Sequence, residues 1–269
     1  MTVDFLLIGA AKSATTSLSN ALSQHPDICF SNPKEPEFFC KDNWRNNLET
    51  YHSLFKNKSA KLYGEGSTNY SKFPHYNKNI HHDIFDYNPN MKIIYMMRHP
   101  LERIVSHYVH SYNRGHESID DINTALISKS HYTDTALYAM QIEPYINLFG
   151  IHNILMLFFE DFISNPQHVI DTTFNFLGVD SITVNKKVLN SNKSFNRSVI
   201  HHKYDHPTTV FEKIRKIVFI IKNYFNSDFI NRRPNISSET KAYIMNTIKE
   251  DIHKIEKLTN RDLSYWFEY

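Results

Sequence analysis

Two stretches of the chain gather residues suited to holding phosphate. The first, Gly9-Ala10-Ala11-Lys12-Ser13-Ala14-Thr15-Thr16, lies between a short apolar run and a helical pattern. A loop joining a strand to a helix aims successive N–H groups and the positive helix end at one point, which makes an anion site. Set against the nucleotide loop G-x-x-x-x-G-K-[ST], Gly9 and Thr16 match, Ala14 stands at the second glycine and Thr15 at the lysine. A lysine occurs three residues earlier, as Lys12. Phosphate binding survives these changes. The lysine that reaches β and γ phosphates does not, which disfavours magnesium–triphosphate chemistry. Read without function, Gly9 is a turn and Thr15, Thr16 and Ser17 form an N-cap cluster.

The second stretch is Arg98-His99-Pro100-Leu101-Glu102-Arg103-Ile104-Val105-Ser106-His107-Tyr108. Pro100 suits the first turn of a helix, where its missing N–H costs nothing. Arg98 then ends a strand, and its planar fork is matched to phosphate. Arg103 and Ser106 share a helix face. The structural alternative is an ion pair for Arg98 and close packing for the small Ser106. Carboxylates come from Pro33-Lys34-Glu35-Pro36-Glu37-Phe38-Phe39, where Glu35 and Glu37 project to the same side of an extended chain. The adjacent phenylalanines would lower the local dielectric and raise a carboxyl pKa; a solvated loop carboxylate is the plain alternative. After a third short strand, Gly64-Glu65-Gly66-Ser67-Thr68-Asn69-Tyr70 brings Ser67 and Thr68 toward the same crevice, with two glycines permitting close backbone approach.

The elements that must position these groups alternate. Strands are expected at Phe5–Ile8, Ile28–Phe30, Leu62–Tyr63, Ile93–Met97 and Ile154–Phe159, and helices at Thr16–Ser23, Trp44–Phe55, Tyr76–Phe85, Leu101–Tyr112 and Thr133–Leu148. This pattern predicts an α/β fold of P-loop NTPase-like, three-layer type, a central parallel sheet flanked by helices with its ligand site at the C-terminal strand ends. A helix from Asn165 ends at Phe176-Leu177-Gly178 with Gly178 as a C′ residue. A polar stretch, Asn185 to Arg197, precedes two long helices at about Thr208–Tyr224 and Ser238–Leu258. One domain, 1–269, with a mainly helical C-terminal part from about 200 is expected, since no repeat or long linker marks a second.

Composition sets the outer limits. With 41% hydrophobic and 22% charged residues, the 269-residue chain can bury a core. Its 30 basic and 28 acidic side chains give +2, which argues against coating nucleic acid with a basic face, so a bound anion needs a local cluster. Only six glycines occur, so each is expected to serve the backbone. Cys29 and Cys40 are too few for a disulfide framework and lack zinc spacing, and no metal is expected. The N-terminus lacks a signal-peptide pattern, and the longest apolar stretch, Ile217–Ile221 with its flanks, is broken by Lys216 and Lys222. Spanning a bilayer takes roughly 18 to 20 apolar residues, so a cytoplasmic protein is expected.

Taken together, these motifs resemble the P-loop sulfotransferases that use 3′-phosphoadenosine-5′-phosphosulfate (PAPS), especially the heparan sulfate sulfotransferases and their bacterial relatives. The family's first loop, K-x-G-T-T-x-L, is matched by Lys12-Ser13-Ala14-Thr15-Thr16-Ser17-Leu18, with Ala14 for glycine. Its R-x-P-x-E-R-x-x-S-x-Y segment is matched from Arg98 to Tyr108, where the resemblance assigns Arg98 and Ser106 to the 3′-phosphate. Leu155 to Val179 resembles the family's strand, acidic turn and FLGV helix end, and Arg261-Asp262-Leu263 through Trp266 its closing tail. The likeness therefore covers nearly the whole chain.

The resemblance implies a fold, a reaction and roles. PAPS would bind at Lys12, Ser13, Ala14, Thr15, Thr16, Ser17, Arg98 and Ser106, with Lys193 and Arg197 in a late basic loop closing over it, and would leave as 3′-phosphoadenosine-5′-phosphate (PAP). Lys12 would stabilise charge on the leaving phosphate oxygen, and a glutamate three residues before a Phe-Phe pair, here Glu35, would take the acceptor's proton. Glu37 remains open as the base or as a substrate contact, as does a histidine among the 16 present. Ser67 and Thr68 would line the acceptor side, where the family often carries a lysine that is absent here. The acceptor implied is a sugar hydroxyl or amine on a polysaccharide or glycolipid; the +2 charge leaves a weakly charged acceptor equally open. Two rivals stand beside this reading: a P-loop phosphotransferase, with Phe158-Phe159-Glu160-Asp161 imitating a Walker B strand, and a nucleotide-binding protein without catalysis.

Overall fold

Five apolar runs, each too short for a helix and rich in branched or aromatic side chains, form one parallel sheet. The structure, a computed structural model, describes residues 1–185, 230 and 232–268. Its strands are β1 (Phe5–Gly9), β2 (Ile28–Phe30), β3 (Leu62–Gly66), β4 (Lys92–Met97) and β5 (Ile154–Phe158), in the spatial order β2-β3-β1-β4-β5. β1 is central: Phe5, Leu6 and Leu7 register with Gly64, Glu65 and Gly66 on one side and with Lys92, Ile93 and Ile94 on the other. The order reverses at β1, so the loop leaving it lies where a doubly wound sheet opens its crevice.

Alternation along β1 sends its side chains into two cores. Phe5 and Leu7 pack with Ile94, Met96 and Leu157 under helices α1 (Thr15–Leu22) and α9 (Pro166–Leu177). Leu6 and Ile8 pack with Ile93, Tyr95 and Met97 under the opposite layer. That layer includes α3 (Ile80–Tyr87), α4 (Pro100–Asn113), α5 (Ile122–Ser128), α7 (Tyr138–Phe149) and α10 (Ser238–Thr259). Short helices α2 (Leu48–His52), α6 (His131–Asp134) and α8 (Phe159–Ser164) complete the described set. The three-layer arrangement is the one expected.

Several boundaries differ from the sequence reading for local reasons. The Trp44–Phe55 pattern is a 3-10 turn followed by the short α2, and Thr133–Leu148 breaks between α6 and α7. α3 begins at Ile80 instead of Tyr76, because the Asn77 side chain accepts from the Asn79 amide and holds a turn there. Phe159 opens α8, so β5 stops one residue earlier than expected. The C-terminal helix α10 lays Ile244, Ile248, Ile252 and Ile255 into the core at helical spacing, and its Asp251 accepts from the first amides of α7, Ala139 and Met140, at 2.9 Å each. The expected helix at Thr208–Tyr224 lies outside the described residues.

Candidate active site

The exits of β1, β3, β4 and β5 are tied together by hydrogen bonds that fix the site. The Ser71 hydroxyl, just beyond β3, donates to the Ile8 carbonyl at 2.7 Å, and Gly9 must lack a side chain because a Cβ there would lie 2.1 Å from that Oγ. Tyr138 OH donates to the Arg98 carbonyl at 2.6 Å, and the His99 amide to Glu160 Oε1 at 2.8 Å, joining the ends of β4 and β5. The loops that carry the candidate groups therefore hang from a rigid rim.

The first loop turns through left-handed backbone at Lys12 (φ 73°) and Ala14 (φ 61°), and Ala14 is the N-cap of α1. Ala14 thus occupies the glycine conformation without a glycine, a strain of roughly 1 kcal/mol. No side chain caps α1, so Thr15, Thr16 and Ser17 do not form the expected N-cap cluster. Ser13 Oγ is fully buried and has no hydrogen-bond partner among the described residues. Arg98 reaches across from β4 and donates from Nη1 to the Lys12 carbonyl at 3.2 Å. Its guanidinium also lies 3.5 Å from Glu102 and over the Phe159 ring, so the structural ion pair considered from sequence is present alongside the loop contact. Ser106 lies buried on α4, two turns beyond Arg98.

Lys12 is the electrostatic centre. Its ammonium lies 3.3 Å from His110 Nδ1, and since an ammonium only donates, Nδ1 accepts. Burial, then the neighbouring charges of Arg114 and Arg98, lower its pKa to about 8, against the pull of Glu35. His110 is pushed down to about 2 by burial and by Lys12 and Arg114, so it is a neutral acceptor.

Glu35 and Glu37 both sit in left-handed backbone, at φ 60° and 49°. The Glu35 amide donates to the Gly66 carbonyl and the Glu37 amide to Ser67 Oγ, each at 3.0 Å, which fastens this loop to the exit of β3. Glu35, with 43% of its side chain exposed, pairs with Lys34 at 2.8 Å and lies within the field of Lys12, Lys72 and Arg114. Glu37 instead faces Lys72, Tyr76 and Cys40. Phe38 and Phe39 turn into an aromatic core with Trp44, Tyr51 and Tyr70. The carboxyl raised in this region is Glu65, fully buried and lifted to about 8 by burial, with the hydroxyls of Tyr70 and Ser67 pulling the other way. Neither of its oxygens completes a hydrogen bond of normal geometry. Ser67 and Thr68 are buried at the same strand exit. Gly64 is needed for packing and not for ligand approach, since a Cβ would lie 2.0 Å from the Phe5 ring.

The structure thus brings Lys12, Ser13, Ala14, Thr15, Thr16, Ser17, Arg98, Ser106, Glu35, Glu37, Ser67 and Thr68 to one end of the sheet; Lys193 and Arg197 lie outside the described residues. Sequence reasoning missed His110, Arg114 and Lys72. The first two were findable, because positions 106, 110 and 114 stack on one helix face. Lys72 carried no motif. The histidine pair His81-His82 sits at the start of α3, with the His81 ring against Tyr145, and no group of three His, Cys, Asp or Glu among the described residues could hold a metal.

Residues 2–254 match the sulfotransferase domain family. The membrane-associated sulfotransferase kil1 of Dictyostelium discoideum is 24% identical across 97% of this chain, which spans 66% of that relative's length. A mouse bifunctional heparan sulfate N-deacetylase/N-sulfotransferase is 28% identical across 65% of the chain, matching 22% of its own length. Among solved structures, a sulfotransferase from Alicyclobacillus acidocaldarius superposes over 100% of both chains with TM-score 0.72 at 23% identity. A mouse sulfotransferase complexed with PAP covers 97% of this chain and 89% of its own, with TM-score 0.54 at 18% identity. No helix among the described residues is long and apolar enough to cross a membrane.

Proposed function

The chain belongs to the sulfotransferase domain family, and from that premise we propose that it moves the sulfuryl group of PAPS to a hydroxyl or amine of a carbohydrate or glycolipid acceptor. The observation that carries the proposal is the contact of the two phosphate motifs: Arg98 donates to the Lys12 carbonyl, 86 residues away in sequence, with Glu35 on the open side of the same ammonium. The nucleotide fits the residues present. A left-handed turn before an uncapped helix leaves amides aimed at one point, and the buried Ser13 Oγ awaits a partner beside them.

When bound, PAPS supplies a sulfuryl group on a phosphate that departs as PAP. Amides of α1 and Ser13 hold the 5′-phosphate end, and Arg98 with Ser106 holds the 3′-phosphate. Lys12, aligned by His110, follows the developing charge on the leaving phosphate oxygen. Glu35 receives the acceptor's proton. Glu37, Ser67 and Thr68 line the acceptor side. The relatives named for heparan sulfate support a sugar acceptor. The missing nucleotide lysine tells against a phosphotransferase.

Labelled PAPS incubated with glycan and glycolipid extracts tests the reading. The wild type should label an acceptor, and Lys12→Ala and Glu35→Gln should each lower the rate by about 10²- to 10⁴-fold, the usual worth of a positioned acid, base or charge. Full activity in Glu35→Gln with loss in Glu37→Gln would move the base to Glu37. A protein that binds PAP yet labels no acceptor would be a binding protein instead.

A further inference from the structure

Glu35 has a second cation in its field besides Lys12, and among the described residues that cation has no hydrogen bond or ion pair. Lys72 follows the 3-10 turn Thr68–Ser71, whose last residue is pinned to β1 through the Ser71 hydroxyl, so its backbone is fixed on the rim. The side chain is partly buried, and its ammonium lies 5.4 Å from the Tyr76 ring centroid. Burial pulls its pKa down; Glu35 and Glu37 pull it up, and Arg103 adds positive field. Among the described residues Lys72 Nζ makes no hydrogen bond or ion pair, and neither does the Arg114 guanidinium, whereas Lys34 pairs with Glu35, Arg98 with Glu102, Lys129 with Glu117, and Lys12 with His110. Holding a desolvated ammonium without an acceptor is costly unless a ligand supplies one.

Position identifies which ligand. The charged groups around Lys12 are Arg114, Arg98 and Glu35, on the nucleotide side. Those around Lys72 are Glu35, Glu37, Arg103 and Cys40, with His107, His110 and His131 within its own field, so Glu35 and His110 are common to the two lysines while Glu37 faces Lys72 and not Lys12. Beside it Phe73 and Tyr76 are 38% and 45% exposed, a lip on which the apolar face of a pyranose can rest. Two cations without an ion pair at this rim among the described residues, Lys72 here and Arg114 on the Lys12 side, do not make a groove for a long polyanion on a chain of net charge +2.

We propose, building on the sulfotransferase reading above, that Lys72 binds a single carboxylate or sulfate ester next to the reacting hydroxyl, making the preferred acceptor a sugar with one acidic group. The experiment uses the full chain saturated with PAP and measures calorimetric affinity for para-nitrophenyl β-glucuronide, para-nitrophenyl β-glucoside and a heparin hexasaccharide. The glucuronide should bind roughly tenfold more tightly than the glucoside, the worth of one charge-assisted hydrogen bond. That ratio should fall to near unity in Lys72→Met and persist in Lys72→Arg, and the hexasaccharide should bind no more tightly than the glucuronide. Equal affinities or no sugar binding in the wild type would overturn the inference. So would a ratio that survives Lys72→Met, or a preference for the hexasaccharide. Loss of PAP affinity in Lys72→Met with an unchanged ratio would assign the ammonium to the donor and overturn it too. Should Lys72→Met fail to fold, the wild-type ratio and Lys72→Arg still decide. Failure of the wild type to bind PAP at all would sink the nucleotide reading, and this inference with it, which separates the two failures.

Discussion

Glu35 and Glu65 are two carboxyls of one rim that differ in burial. Glu35 has 43% of its side chain exposed, pairs with Lys34 and lies in the field of Lys12. Glu65 is enclosed beneath the Phe38–Phe39 aromatic cluster and is protonated at neutral pH. Its raised pKa has a thermodynamic sign: the contribution to stability is full below about 4.5, where the unfolded chain is also protonated, and is lost progressively as pH rises to about 8. Glu65→Gln, which keeps shape and removes the proton, should therefore raise stability at pH 7 by about 1–3 kcal/mol in urea denaturation and have little effect near pH 4.5. A variant less stable at both pH values would show that the acid makes a contact the amide does not. Three-dimensional packing sets Phe38 and Phe39 against Tyr51 and Tyr70, the tyrosines whose hydroxyls reach Glu65.

The strand-to-helix loop after β1 carries its own cost. Ala14 holds a left-handed φ of 61° where glycine would be unstrained. Relief of the Cβ clash, less the entropy that glycine adds to the unfolded chain, should make Ala14→Gly more stable by about 0.5–1 kcal/mol in the same denaturation measurement. No gain, or a loss, would mean that the loop does not keep this turn in solution. At this scale the sheet was legible, because each strand is an apolar run ended by turn residues. Helices α5 and α8 were not. The first is seven residues long, and the second follows β5 with no intervening breaker, so Phe159 read as more strand. Lys72 was equally hidden, since a lone lysine after a 3-10 turn has no periodicity to mark it.

For the whole molecule, a charge of +2 leaves room for a local group of cations at one end of the sheet. Lys12, Arg98, Arg114 and Lys72 converge there from three separate segments, while Arg45 pairs with Asp83 and Asp86, and Arg261 with Asp161. The parallel sheet flanked by helices followed from strand–helix alternation; its strand order and the convergence of Arg114 and Lys72 on Glu35 did not, since the latter depends on how α4 and the β3 exit meet. Binding at this cluster stabilises the folded chain by mass action, about 2.7 kcal/mol at a hundred dissociation constants of ligand. In a domain of this size that raises the melting temperature by roughly 5–10 °C. Thermal unfolding with PAP and, separately, with ATP and magnesium tests the central claim most directly. The account predicts that PAP gives a rise of this order, lost in Lys12→Ala, and that ATP with magnesium gives a smaller one. Stabilisation by ATP with magnesium and none by PAP would contradict it.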